Sequence, residues 1–128
     1  MAANADVVRA AWEAFAQQDL DRATADIDDT AEIVLPDSLP WGGIHRGPDG
    51  FKRVVGEFAG HLEHFRPSPR GFFEAEGDQV VVPVDIDART KAGKDLASSV
   101  LWLYELRDGK IVRAELFADT AETLEAIR

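Results

Sequence analysis

The only tyrosine in the chain, Tyr104, sits in an apolar run, Leu101-Trp-Leu-Tyr-Glu-Leu106. A phenol buried in such a setting must find a hydrogen-bond partner, and it suits donation of a proton to a carbonyl oxygen. The three histidines differ in context. His45 lies in a glycine-rich segment, where the plain expectation is a solvent-facing loop residue. His61 and His64 are three apart, with Glu57 one helical turn before His61. Two imidazoles and a carboxylate are metal-ligand types. However, His-Leu-Glu-His is too short for the zinc-protease spacing, and His64 falls on the polar side of an apolar stripe, so no metal site is expected. His61 borders that stripe and is expected to reach an interior pocket. Asp119-Thr-Ala-Glu122 has the spacing of a capping box at a helix start. Asp85, Asp87 and Arg89 form a polar row opposite Val80, Val82, Val84 and Ile86, a row expected in solvent or at a dimer interface. The serines lie outside any Gly-x-Ser-x-Gly elbow, and there is no phosphate loop or dinucleotide fingerprint.

A pocket needs walls. Trp12, Phe15, Trp41, Phe58 and Trp102 are the bulky candidates, joined by His61, Leu116 and Ala118. On alternating strands, Trp102, Tyr104 and Leu106 share one face, and Val112, Ala114, Leu116 and Ala118 are expected across from them. Small residues there, Ala114 and Ala118, would leave room beside the aromatics. The plainer alternative is a filled core.

These groups must be positioned by a long hairpin. Leu96–Leu106 and Lys110–Ala118 read as strands around Asp108-Gly109, a pair suited to a type I′ turn. Arms of about 9–11 residues run roughly 30–36 Å at ~3.3 Å per residue, too long to stay flat. Earlier in the chain, Val7, Val8, Ala11, Trp12 and Phe15 mark a helix face with Asp6 as a possible cap. Asp19–Asp26 reads as a short helix capped by Asp19, Asp28-Asp29-Thr30 as a turn, and Ala31–Leu35 as a strand stopped by Pro36. Leu39–Gly47 reads as a loop. Pro48 opens a third helix whose apolar repeat, Phe51, Val54, Val55, Phe58, Leu62 and Phe65, carries it to Arg66. Phe72–Glu76 and Gln79–Ala88 follow as strands, and Thr120–Ile127 closes the chain as a helix. Helices first and a β-meander later imply an α+β domain with helices across one sheet face.

The totals exclude several classes. With 128 residues and no internal repeat, a single domain over 1–128 is expected. Zero cysteines exclude disulfides and thiolate chemistry and suit a cytoplasmic protein. A net charge of −10 disfavours nucleic acid and anionic membranes as partners. No apolar run approaches the ~20 residues of a membrane span, and Met1–Asp6 lacks a signal-peptide pattern.

The order of elements resembles the SnoaL-like proteins of the nuclear transport factor 2-like superfamily, relatives of ketosteroid isomerase and polyketide cyclases. The resemblance rests on Asp19-Leu-Asp21, Leu39-Pro-Trp-Gly-Gly43 with Arg46-Gly47, Arg107-Asp-Gly-Lys-Ile-Val-Arg113 and Phe117-Ala-Asp-Thr120, and it covers about Val7 to Ile127. It implies a cone: a curved antiparallel sheet wrapped around three N-terminal helices, with a short C-terminal helix and a central pocket. It also places Asp119 where polyketide cyclases keep a general acid/base, and His45 near the pocket mouth. Epoxide-hydrolysing relatives use an Asp–Arg–Asp set, for which Asp85, Asp87 and Arg89 face the wrong way. The steroid isomerase groups fall on Ala11, Leu35 and Trp102, so that route is not expected. The resemblance implies a cofactor-independent isomerase, cyclase or dehydratase acting on a small apolar carbonyl- or hydroxyl-bearing molecule. Asp119 would move the proton and Tyr104 or His45 would steady oxyanion charge. The alternative is a non-catalytic ligand-binding or dimeric interaction module. A homodimer through the sheet face is expected in either case.

Overall fold

A computed structural model describes residues 3–36 and 42–118. Helix α1 (Asn4–Ala16) lies beside the single-turn α2 (Leu20–Ala23), and strand β1 (Ile27–Leu35) follows. After β2 (Gly43–Arg46) come α3 (Gly47–His61), β3 (Leu62–Pro69), β4 (Phe73–Ala75), β5 (Gln79–Thr90), β6 (Asp95–Arg107) and β7 (Lys110–Ala118). The α+β architecture expected from the sequence, a curved sheet against three helices, is the one found.

The seven-stranded sheet runs β2-β1-β7-β6-β5-β3, with β4 on the same side of β5 as β3. It is mixed rather than wholly antiparallel: β1 runs parallel to β7, Ile33 opposite Ala114. The β6–β7 hairpin turns at Asp108 (φ 52°) and Gly109 (φ 77°), both left-handed as a type I′ turn requires.

Several boundaries differ from expectation, each for a local reason. Helix α3 stops at His61, and Leu62, at φ −115°, already belongs to β3. Gly56 and Gly60 weaken its last turns, and Pro67 and Pro69 favour an extended chain beyond. Leu62 and Phe65 therefore continue the apolar pattern from a strand. Gly43–Arg46, expected as loop, adds a strand to β1. Strand β1 begins at Ile27, and the expected turn is a bulge within it, where Asp28 accepts from the Thr30 backbone N–H (2.9 Å) and hydroxyl (2.7 Å). Those two donors hold the Asp28 carboxyl below its usual pKa. At α1 the cap position is Ala3, while Asp6 sits in the first turn and pairs with Arg9 at 3.0 Å. Asp19 caps α2 as expected, accepting from the Arg22 N–H.

The core forms where α1 meets β5, β6 and β7. Val8, Val80, Val82 and Val84 are sealed from solvent, with Leu106, Ile111 and Ala114 around them. Burying each such valine contributes roughly 1.5–3 kcal/mol. The helical side of β5 and β6 is thus the inner face, and Asp85, Asp87 and Arg89 are exposed on the outer one, as expected.

Candidate functional site

Strand pairing lays out the inner face in rows. Val80, Tyr104, Ala114 and Ile33 stand side by side across four strands, followed on β2 by His45. In the next row, Val82, Trp102 and Leu116 stand together, and beyond them Val84, Val100 and Ala118. Tyr104, Trp102, Leu116 and Ala114 therefore share one face, as their alternation predicted. Val112 does not join them. A bulge after Glu105 pairs Leu106 with Ile111 instead, and Ile111 is the buried residue.

Helix α1 brings Trp12 over this face, and its indole Nε1–H donates to the Tyr104 hydroxyl oxygen at 3.0 Å. Trp102 stacks on Tyr104, with ring centroids 5.9 Å apart and planes at 25°. Trp12 meets Phe15 edge-on at 6.4 Å, and Phe15 meets Phe51 of α3 at 6.2 Å. Phe58 stacks on Phe65 at 4.8 Å, tying α3 to β3. Trp12, Phe15, Phe51, Phe58, Phe65, Trp102, Tyr104 and Leu116 are all half-buried, whereas the valines among them are sealed. These large rings keep accessible area above a sealed valine floor, and an apolar ligand could contact them there. Phe51 and Phe65 join this aromatic cluster, although the sequence marks them only as part of a helical repeat. Their positions in the apolar repeat were the available signal.

Burial pushes the Tyr104 pKa far above the ordinary phenol value, and the Trp12 N–H only partly offsets it. The residue as a whole retains some accessible area. The shift follows from the apolar groups packed around the ring, which leave the phenolate poorly solvated.

Other expected site residues fall elsewhere. His45 shares the inner face but stands three strand spacings from Tyr104, roughly 14 Å at ~4.8 Å each. It is half-buried and packed beneath the start of α3, where a Cβ on Gly50 would come within 3.2 Å of the His45 Cβ. His61 is exposed at the end of α3, its Nδ1 2.9 Å from the Glu57 carbonyl, so the expectation that it reaches the interior is not met. His64 pairs with Asp87 at 3.5 Å on the outer face. Among the described residues no group of three or more His, Asp or Glu is placed to hold a metal, and no helix is long and apolar enough to cross a membrane. Asp119, Trp41 and the expected helix Thr120–Ile127 lie outside the described residues.

A surface hollow of about 430 Å³ lies between α2, the start of β1 and α3. Its lining includes Asp21, Asp28, Lys52 and Lys110. Lys52 is bound to Asp21 at 2.9 Å, and Lys110 lies 3.8 Å from Asp26.

A curved sheet against three helices, with an aromatic inner face, is the frame of the SnoaL-like domains, and this chain belongs to that family: the family model matches residues 8–114. An NTF2-like protein of unknown function from Burkholderia pseudomallei K96243 is 26% identical, with 99% of this chain and 98% of that one covered and a TM-score of 0.85. TerC, crystallised with polyporic acid, is 27% identical over 97% of both chains, with a TM-score of 0.83. An NTF2-like protein from Burkholderia thailandensis E264 is 23% identical over 100% and 99%, with a TM-score of 0.89. No curated protein matches the chain.

Proposed function

We propose that this protein holds a small, largely apolar organic molecule bearing a carbonyl or hydroxyl against the inner face between α1, α3 and β6. We further propose that it transforms that molecule without a cofactor, as an isomerase, cyclase or dehydratase. The observation that carries the reading is the Trp12–Tyr104 pair, a phenol kept neutral among half-buried aromatic rings. Such a donor stabilises charge as it develops on a carbonyl oxygen, and water-poor surroundings strengthen the effect. Asp119 follows directly on β7, one residue after the Ala118–Val100 pair, and is the group we assign to proton transfer. A carboxylate that shuttles a proton and a phenol that holds the oxygen suffice for enolisation. The polyporic acid in TerC supports a small organic ligand. The polar outer-face network of Arg70, Asp85 and Ser99 is exposed and takes no part.

The test is a panel of aryl ketones and 1,3-diketones, with binding followed by tryptophan fluorescence and turnover by enol absorbance. Asp119→Asn is expected to keep binding within a few-fold and lose roughly 10²–10⁴ in rate. Tyr104→Phe is expected to lose about 10²–10³. Full turnover by Asp119→Asn would remove the proton-transfer role. Binding that survives with no turnover by the wild type would leave a ligand carrier.

A further inference from the structure

We infer that Trp12 is a positioning residue that fixes the polarity of the Tyr104 hydroxyl, so that the ligand oxygen seated there is a carbonyl or enolate oxygen rather than a hydroxyl. This deepens the proposed function and rests on it.

An indole N–H can only donate. At 3.0 Å, Trp12 Nε1 occupies a lone pair of the Tyr104 oxygen. The phenolic proton cannot point at another hydrogen, so it swings away from α1. Toward the proposed ligand site, Tyr104 then presents a donor. Trp102, stacked on the same ring, adds an indole N–H that has no hydrogen-bond partner among the described residues. The Tyr104 hydroxyl is thus the donor that awaits an acceptor. Trp12 is itself held, edge-on to Phe15, which is edge-on to Phe51, so α1 and α3 together set the direction of its N–H. A carbonyl oxygen accepts from such a site at no loss. A hydroxyl that accepts there must still place its own proton, and against donor-only neighbours it forfeits a bond.

The experiment compares tetralin, 1-tetralone and 1-tetralol, equal in ring frame and different in one oxygen. Wild type is expected to bind 1-tetralone about three- to tenfold tighter than 1-tetralol. In Trp12→Phe the Tyr104 oxygen regains its accepting capacity and the ratio is expected to fall to about one. A ratio unchanged in Trp12→Phe, yet abolished in Tyr104→Phe, would overturn the positioning role and leave the pocket intact. Failure of all three probes to bind would count against the pocket reading itself. A ligand-free measurement separates the two cases. The lone tyrosine's Raman Fermi doublet is expected to report a hydrogen-bond acceptor in wild type, to lose that signature in Trp12→Phe and to shift toward a donor when 1-tetralone is added. An acceptor signature absent from wild type would overturn the inference whatever the probes do, and that reading needs no variant to fold.

Discussion

Tyr104 can be followed by ultraviolet absorbance with no other phenol in the way, because the chain has one tyrosine. Its folded pKa is raised by burial, while the unfolded chain ionises near the ordinary value of about 10. Above that pH the unfolded state releases a proton that the folded state keeps. The stability tied to the neutral phenol is therefore complete below pH ~10 and is lost as pH rises toward the folded pKa, at up to about 1.4 kcal/mol per pH unit. Phenolate absorbance is expected only together with loss of secondary structure, and Tyr104→Phe is expected to flatten this part of the alkaline unfolding curve. Absorbance that rises near pH 10 in the folded protein would place the hydroxyl in water. At this scale the sequence was half legible. An alternating apolar run put Tyr104 inside, but its partner lies 92 residues away on a helix, beyond the reach of any local pattern. The same blindness applied to His61, whose helical position suited the interior until the helix ended there.

Among the elements, the β2–α3 junction is the most exacting. Gly47 adopts φ +67°, and a Cβ there would come 2.6 Å from the Asp29 carbonyl oxygen of β1. Backbone and carbonyl cannot yield cheaply, so Gly47→Ala is expected to cost about 2–4 kcal/mol. Chemical denaturation would check this, and an effect below ~0.5 kcal/mol would mean that β1 and α3 are not held this closely. Gly43, also at positive φ but with open space around it, serves as the control. Amphipathic spacing and the Asp-Gly turn made α1, α3, β5 and the long hairpin readable. Three features were not readable. The parallel β1–β7 pairing joins segments about 80 residues apart, and register between remote strands leaves no local trace. The bulge at Val112 shifts parity by one residue within an otherwise regular alternation. The passage from α3 into β3 hides because Leu62 and Phe65 keep the helical i, i+3 spacing, and only a bulge between Leu62 and His64 lets both share a strand face.

At the scale of the molecule, the outer face of the sheet is divided. Charged groups occupy its two ends, Glu32 with Arg46 and Arg113 at one and Arg70 with Asp85 at the other. Between them, pairing sets Phe73, Val81 and Leu103 in one row and Pro83, Leu101 and Phe117 in the next. Phe73 is 57% exposed and Phe117 40%. We propose that the homodimer expected from the sequence forms on this apolar band. Sedimentation is expected to give twice 14.0 kDa, and Phe73→Lys with Phe117→Lys to give monomers with unchanged helix and strand content. A wild-type monomer at micromolar concentration would remove this assignment.

The two borders of the sheet bear on how far such association can go. Among the described residues, one is β2, only four residues long, and the other is shared by the three-residue β4 and by β3, whose Pro67 and Pro69 lack the N–H a further strand would need. Sideways accretion of chains, the route to fibrils, is therefore disfavoured at both rims. Self-association through the proposed flat-on, two-fold contact would saturate at a pair, and crowded, concentrated conditions are then expected to give no filaments.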